Sequence, residues 1–345
     1  MLPPHQLQPF IQQVPIRERV NPKNSRHPYC LNGKAQHPYH ILVIGTQECQ
    51  HNIKNTVLFP SKHEWEARLK DYLIDEYVLI KTESMAAIHL RIYYQHAEVA
   101  TGFANLFGNK GGVGISLLFG DTSFCFINCH LAAHQNKVKQ RNNDVRKISK
   151  EMRLKGFRPE YKVNINNVTD RFDHTFWFGD MNYRVDLSRE KADELILRHE
   201  LTKLLEHDQL SREMKSFSYF DGFHEDRISF NPTFKFNITH RISHNSHEQL
   251  PLKRHASAPS VITFDHTQYD TSPKKRVPSW TDRIIWKTML DGKKVIPVKY
   301  TSHMNVIGFS DHRPVTGCYL VDFDWQQPFD DTSNQKKPKK RFYLR

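Results

Sequence analysis

Short apolar runs separated by polar segments make up most of the chain, and their residues follow two different spacings. A compact apolar run that ends at glycine, such as 41–44 before Gly45, predicts a buried β-strand. Apolar residues three, four or seven positions apart, such as Val138, Val145 and Ile148, predict an amphipathic helix. The predicted strands are 41–44, 77–81, 87–94, 113–119, 123–128, 174–178, 283–286 and 315–321, and the predicted helices are 61–73, 135–152 and 188–199.

Three segments lack both spacings. Residues 1–38 are rich in Pro, Gln, Asn and Arg and are interpreted as an irregular N-terminal arm. Residues 238–267 are rich in His, Ser and Pro and predict a flexible surface insertion, and the basic residues 326–345 predict a disordered tail. The remaining span, 39–325, is predicted to be one folded domain. Its mixture of strands, helices and hairpin-length links predicts an α/β (α+β) fold, with helices packed outside a sandwich of two mixed sheets.

Composition restricts the partners and the compartment. The net charge of +13 favours anionic partners such as nucleic acid, acidic lipid headgroups or polyphosphates. Five cysteines, an odd and sparse set, are typical of a reducing compartment. The first residues lack the apolar core of a signal peptide, and no apolar run is long enough to span a bilayer. We therefore expect a cytoplasmic protein, and the polybasic segments predict peripheral association with an anionic membrane surface.

Predicted strand ends carry side chains that suit phosphate chemistry, although three of them also have ordinary structural explanations. Glu48 follows the strand 41–44 and suits a hard divalent cation, but taken alone a solvated turn residue is the more common explanation of a glutamate there. His130 follows the strand 123–128 and suits a phosphate oxygen, but it is also explained as a core histidine. Asp282 begins a strand and suits the orientation of a histidine, or simply a cap.

The other two strand ends are harder to explain structurally. In the segment 176–184 an aromatic strand runs into Asp180, a candidate general base, and then into Asn182 and Arg184, which suit phosphate oxygens. In the segment 309–315, Asp311 suits a metal ion or an ordered water, and His312, if cationic, suits the charge on a transferred phosphoryl group. A base, a metal-binding carboxylate and donors for phosphate together predict a metal-dependent phosphoesterase.

The segments that carry this chemistry resemble the signatures of a known family. FWFGDMNYR, PSWTDRI and SDHRPV, together with GTQE, FGNKGGVG and INCHLAAH, resemble those of the inositol polyphosphate 5-phosphatases, most closely the type II branch. These enzymes belong to the endonuclease/exonuclease/phosphatase superfamily, and the resemblance covers His40 to Val321, interrupted by the insertion. It implies a four-layer α/β/β/α sandwich. It also implies Mg²⁺-dependent removal of the 5-phosphate from phosphoinositides, such as phosphatidylinositol 4,5-bisphosphate or 3,4,5-trisphosphate, or from soluble inositol polyphosphates.

The resemblance further implies a role for individual residues. Asp180 would activate water, Asn182 would bind phosphate, His312 would contact the scissile phosphate, Asp282 would orient His312, and His130 would complete the catalytic group. The metal ligands would be Glu48 and Asp311. The substrate-binding residues would be Asn109, Lys110, Tyr183, Arg184, Lys235, Lys275 and Arg276.

One family feature is absent from the sequence. The family begins with a strand that ends in Thr-Trp-Asn, whose Asn helps bind metal and phosphate, and no such segment precedes Ile41. Two alternatives to an active phosphatase therefore remain open: a truncated or inactive phosphoinositide-binding protein, and, more remotely, a nuclease of the same superfamily. Basic residues beside the catalytic segments favour a compact polyphosphate over nucleic acid.

Overall fold

The computed structural model describes eleven stretches of the chain, and the account below covers these residues. The predicted N-terminal arm, 1–38, lies outside them, as do Asn109 and residues 239–267 of the predicted insertion. The described residues are 39–48, 63–73, 77–85, 87–94, 100–106, 110–157, 166–238, 268–289, 294–306, 310–323 and 340–344.

Twelve strands form two mixed six-stranded sheets. Sheet A contains β1 (Ile41–Gln47), β2 (Val78–Met85), β3 (Ile88–Tyr94), β10 (Val295–Ser302), β11 (Val315–Phe323) and β12 (Lys340–Leu344), in the order β10-β11-β12-β1-β3-β2. Sheet B contains β4 (Ala100–Leu106), β5 (Gly111–Phe119), β6 (Thr122–His130), β7 (His174–Asp180), β8 (Phe223–Glu225) and β9 (Asp282–Thr288), in the order β4-β5-β6-β7-β9-β8. Both sheets are mixed because β12 runs parallel to β1, and β6 runs parallel to β7.

Five helices and two short 3-10 turns accompany the sheets. The helices are α1 (His63–Leu73), α2 (Val138–Glu151), α3 (Arg189–Leu197), α4 (Leu201–Leu205) and α5 (Gln209–Ser216), and the 3-10 turns are Val168–Asp170 and Ser218–Phe220. Within the described stretches, no helix has the length and apolar character needed to cross a membrane.

The core has three levels because successive strand residues face opposite sides of each sheet. In β6, Phe124 and Phe126 pack between the two sheets, whereas Cys125 and Ile127 pack on the opposite face, in the cluster that contains Val145 of α2. On the outer side of sheet A, Leu42 of β1 packs with Leu69 and Leu73 of α1. Helix, sheet, sheet and helix therefore follow one another, which confirms the predicted four-layer sandwich.

The structure also corrects the sequence prediction at several elements. The sequence pattern did not predict β4, β10, α4 and α5. In β10 the reason is Pro297, which interrupts the apolar run and argues against a strand. The prediction that the basic tail 326–345 is disordered is wrong for Lys340–Leu344, which forms β12 inside sheet A. Charge patterns alone favoured disorder there, but pairing with β11 and burial of Leu344 override that preference.

Candidate active site

Three strands of sheet B place their polar ends in one row. In the register of the sheet, His130 at the end of β6 pairs with Asp180 at the end of β7, and Asp180 pairs with Asp282 at the start of β9. The parallel pairing of β6 with β7 and the antiparallel pairing of β7 with β9 bring the three side chains to the same edge. The sequence separates these residues widely, and the sheet register brings them together.

Asp180 is buried and surrounded by hydrogen-bond donors. Its carboxylate accepts from the backbone N–H and the side-chain amide of Asn182, both at 3.0 Å, and lies 3.1 Å from Nε2 of His130. Burial alone would raise the pKa of Asp180, but the His130 hydrogen bond and the charge of His312 hold the pKa well below its usual value. Asp180 therefore stays ionised at neutral pH and can accept a proton from water.

Gly179 permits the close approach of β7 to β6 at this point. It has φ of +119°, a conformation that residues with a Cβ rarely adopt, and a Cβ there would lie 2.3 Å from the carbonyl oxygen of Cys129. The glycine therefore allows Asp180 to sit directly beside His130.

His312 approaches Asp180 from the segment before β11. Its Nδ1 lies 2.9 Å from Oδ2 of Asp282, and its Nε2 lies 4.0 Å from Oδ2 of Asp180. Thr233 and Thr281 donate their hydroxyls to Oδ2 of Asp282, at 2.7 and 3.0 Å, and so fix the carboxylate against the imidazole. The two threonines were not predicted as site residues, although Thr281 lies directly before Asp282 in the sequence.

The charge on His312 is set by its neighbours. Burial alone would lower the pKa of His312, but the charge and hydrogen bond of Asp282 and the charges of Asp180 and Asp311 raise the pKa to about 9. The imidazole is thus cationic at neutral pH. The stability that this charge contributes is complete below the ordinary histidine pKa and is lost as the pH rises through about 9.

We expect Asp282→Asn to shift the alkaline limb of the pH profile toward neutral pH. Removal of the largest charge that favours the imidazolium should lower the pKa of His312 by about one unit or more, because one unit corresponds to only about 1.4 kcal/mol. Measurement of kcat/KM for phosphate release from pH 6 to 10 tests this expectation. The control is Asp221→Asn, at an exposed aspartate. An unchanged alkaline limb in Asp282→Asn would show that His312 does not set it.

Arg184 and Asn182 form a rigid donor group beside Asp180. Arg184 donates to the backbone oxygen of Asn182 at 3.1 Å and to its side-chain oxygen, and the guanidinium stacks 4.2 Å from the ring centre of Phe234. Phe234 also packs against the His312 ring, with ring centres 4.6 Å apart. Gln209 accepts from the backbone N–H of Arg184 at 2.9 Å, a contact that was not predicted from the sequence.

Asp311 and Glu48, the predicted metal ligands, have different surroundings. The carboxylate of Asp311 is ion-paired with Lys235, and its pKa lies below the usual value because the charges of His312 and Lys235 outweigh the effect of burial. Glu48 is exposed at the end of β1 and lines the same cavity as Asp180 and His312. Among the described residues, Glu48 and Asp311 lie outside the compact group of Asp180, Asp282 and His312, whose ligand atoms are all within 4.8 Å of one another.

The carboxylates around this cavity suit a divalent cation. Glu48, Asp180, Asp282 and Asp311 offer hard oxygen donors, which are the ligands that Mg²⁺ and Ca²⁺ prefer. His312 is a poor ligand for a cation because its ring is protonated and its Nδ1 is engaged by Asp282. A cation at this site would therefore be held by carboxylates and would supply positive charge to a bound phosphate.

The predicted substrate-binding residues are only partly brought together. Lys110, Arg184, Lys235, Lys275 and Arg276 line one cavity of about 890 Å³ with the catalytic residues. Lys110 Nζ contacts Nε2 of His130, the same nitrogen that faces Asp180, so the ring nitrogen donates to Asp180 or accepts from Lys110 but cannot do both. Burial lowers the pKa of Lys110, although the charges of Asp180 and Glu48 oppose this effect.

The assignment of Tyr183 to substrate binding is wrong in this structure. Tyr183 is fully buried in the core beneath sheet B, and its hydroxyl donates to Asn142 at 2.6 Å. The reason is local: Tyr183 lies in the α2-side core cluster, whereas its neighbours Asn182 and Arg184 line the cavity on the opposite side. The prediction for Asn109 lies outside the described residues.

Comparison with known proteins places this site in a family. Residues 5–255 and 261–318 match the model of Endonuclease/Exonuclease/phosphatase family 2. The chain is 30% identical to phosphatidylinositol polyphosphate 5-phosphatase type IV of Rattus norvegicus, over 85% of this chain and 42% of that protein. It is 32% identical to polyphosphatidylinositol phosphatase INP53 of Saccharomyces cerevisiae, over 88% of this chain and 25% of that protein. The chain thus spans less than half the length of these relatives.

A solved structure gives the same result. The inositol polyphosphate 5-phosphatase domain of SPsynaptojanin, in complex with inositol (1,4)-bisphosphate and calcium ion, matches with a TM-score of 0.62 and 30% identity, over 81% of this chain and 74% of that chain. The chain belongs to endonuclease/exonuclease/phosphatase family 2, within its inositol polyphosphate 5-phosphatase domains. The rat relative is named a 5-phosphatase and the yeast relative a polyphosphatidylinositol phosphatase, and phosphatases of this kind are phosphoric monoester hydrolases. Membership of the type II branch stays a prediction.

Proposed function

We propose that this chain removes the 5-phosphate from phosphoinositides or soluble inositol polyphosphates, with Mg²⁺ as the cofactor. The observation that carries the proposal is the row of His130, Asp180 and Asp282, with His312 held against Asp282, all lining one cavity. This arrangement combines an ionised carboxylate that can accept a proton with a cationic imidazole that can stabilise phosphoryl oxygens.

The charges of these groups suit attack by water on a phosphate monoester. In the proposed reaction Asp180 accepts a proton as the water oxygen forms a bond to phosphorus, and the bond from phosphorus to the ring oxygen breaks. His312 and Arg184 stabilise the equatorial oxygens, and the departing ring oxygen takes up a proton from solvent or from an acid at the site. A bound Mg²⁺ would add positive charge at the phosphate.

Basic side chains at the mouth support a compact polyphosphate as the substrate. Lys274 and Lys275 are exposed, and with Arg276 and Lys235 they line the same cavity as Asp180. This positive rim suits the further phosphates of an inositol ring and also the anionic headgroups of a membrane. We propose that the protein works in the cytoplasm and associates peripherally with the cytosolic face of membranes.

Phosphate release from matched substrates tests the proposal. With purified protein and Mg²⁺ we expect release from short-chain phosphatidylinositol 4,5-bisphosphate or from inositol 1,4,5-trisphosphate. We expect none from phosphatidylinositol 4-phosphate, which differs from the first only by lacking the 5-phosphate. Presentation of the bisphosphate in vesicles, compared with the soluble trisphosphate, distinguishes a lipid substrate from a soluble one.

Two other outcomes would overturn the proposal. Binding of the bisphosphate without release of phosphate would indicate an inactive phosphoinositide-binding protein, the alternative left open by the absent Trp-Asn segment. Nicking of plasmid DNA, without phosphate release from any inositol substrate, would indicate a nuclease.

A further inference from the structure

The last described strand joins two halves of sheet A that come from distant parts of the chain. β1, β2 and β3 form one half, β10 and β11 form the other, and among the described residues β12 supplies the backbone pairing between them. β12 pairs antiparallel with β11 over five residue pairs, from Phe323↔Lys340 to Tyr319↔Leu344. On its other side it pairs parallel with β1 through Ile41↔Leu344. The sheet is therefore continuous only because β12 is present.

The two strands that flank β12 carry opposite sides of the active site. β1 ends at Gln47, directly before Glu48, and β11 begins at Val315, three residues after His312. The separation of β1 and β11 therefore determines where Glu48 lies relative to His312. At the level of Leu344, which pairs with Ile41 on one side and Tyr319 on the other, the inserted strand sets that separation to two strand spacings, about 10 Å in all.

Leu344 anchors the inserted strand. Its side chain is 2% exposed and belongs to the core cluster that also contains Ile41, Tyr319 and Val321. It also lines the cavity that contains the catalytic residues. One side chain thus belongs both to the common core of the two sheets and to the lining of the catalytic cavity.

The groove between β1 and β11 is longer than the strand that fills it. β12 pairs with residues 319–323 of β11, whereas residues 315–317 of β11 and residues 42–47 of β1 line the open cavity instead. The basic composition of 326–345 did not predict a strand at 340–344, and the pairing with β11 supplies the order that composition did not indicate.

We propose that Lys340–Leu344 is a positioning strand, which binds in the groove between β1 and β11 and thereby places Glu48 relative to His312. The occupant is the C-terminal segment of this same chain. Its role is separate from chemistry, because β12 carries none of the catalytic side chains. Loss of β12 should loosen the Glu48 side of the site and so weaken the binding of the divalent cation more than the binding of substrate.

Cross-linking tests the occupancy of the groove without reference to activity. Leu320 and Tyr343 are register partners, so in the full-length chain the pair Leu320→Cys with Tyr343→Cys should oxidise to a disulfide within one chain. The matched control is Leu320→Cys with Lys340→Cys, whose positions are three residues out of register, about 10 Å apart, and should not link. Peptide mapping on non-reducing samples identifies the linked residues.

Two cross-linking results would overturn the proposal. A failure of the Leu320–Tyr343 pair to link, or equal linking in the control pair, would show that β12 does not occupy this register. A disulfide between two chains would show that the groove is filled by a second copy instead.

The Mg²⁺ dependence of phosphate release tests the positioning role. This second experiment rests on the proposed function. We expect Leu344→Ala to raise the Mg²⁺ concentration for half-maximal phosphate release about tenfold, with a smaller change in the KM for substrate, measured well below the melting temperature. Leu117→Ala, at a leucine equally buried in the same core cluster but within β5, is the matched control, and it should lower the melting temperature without a change in Mg²⁺ dependence.

The two arms separate the possible failures. Equal Mg²⁺ dependence in both variants would overturn the positioning role and leave β12 as ordinary core. Inactivity of the unaltered protein, together with an intact Leu320–Tyr343 cross-link, would count against the proposed function and not against the position of β12.

Discussion

Asp180→Asn should reduce kcat/KM for phosphate release about 10³-fold, within the range of 10²–10⁴ typical for loss of a positioned general base. The substitution keeps the size of the side chain but removes the charge that can accept a proton from water. It also removes the partner of His130, 3.1 Å away, and one of the charges that keep His312 cationic. We expect a similar KM, because Asp180 acts on the attacking water and the phosphoryl group rather than on the inositol ring.

The fold should survive this substitution. The Asn side chain keeps one oxygen, which can still accept the hydrogen bond that Oδ1 of Asp180 accepts from the backbone of Asn182. Its amide nitrogen would replace Oδ2, which lies beside the side-chain amide of Asn182 and Nε2 of His130. Asp221→Asn, on the exposed surface, is the control and should leave kcat/KM unchanged. A circular dichroism melt shows whether both variants are folded. Retention of more than about a tenth of wild-type kcat/KM by folded Asp180→Asn would exclude Asp180 as the general base.

The sequence predicts the chemical groups of this site better than their geometry. Asp180, Asp282 and His312 are recognisable because each lies at the end of an apolar run, where a sheet presents side chains to a cavity. Their contact depends on the pairing of β7 with β9 and on the approach of the segment before β11. These strands pair although they are distant in sequence, so the hydropathy pattern does not predict which strands pair or in which register.

Tyr183 illustrates the same limit at a single residue. It lies between two polar residues of the motif FWFGDMNYR, and the family resemblance implied a substrate contact there. In the structure Asn182 and Arg184 line the cavity, whereas Tyr183 between them lies in the core cluster on the opposite side. Tyr183 therefore joins Phe220 in the core, with ring centres 6.2 Å apart.

β12 shows how tertiary context overrides a composition-based prediction. The basic residues of the tail favoured disorder, although Phe342 and Tyr343 are of residue types enriched in strands. The backbone groups of β1 and β11 that face each other need partners, because unpaired ladder groups in the interior are rarely tolerated. The backbone of Lys340–Leu344 pairs with residues 319–323 of β11. Residues 42–47 of β1 instead line the cavity.

Arg283→Met should cost about 3–5 kcal/mol of the free energy of unfolding, the range found when one partner of a buried ion pair is removed. Arg283 is 1% exposed, donates to Asp208 at 2.9 Å, and donates to both carboxylate oxygens of Glu225. Burial would lower the pKa of Arg283, but these two carboxylates raise the pKa well above the usual value. Methionine keeps most of the volume and leaves two buried negative charges without a cation.

Urea unfolding of the variant, monitored by tryptophan fluorescence, measures this loss. Arg212→Met is the matched control, because Arg212 forms a comparable pair with Asp186 on the surface, where such pairs contribute about 1 kcal/mol or less. Equal losses in the two variants would show that the carboxylates around Arg283 do not depend on its charge. Because Arg283 directly follows Asp282 in β9, a large loss would also mean that the strand end that orients His312 is held by this buried ion pair.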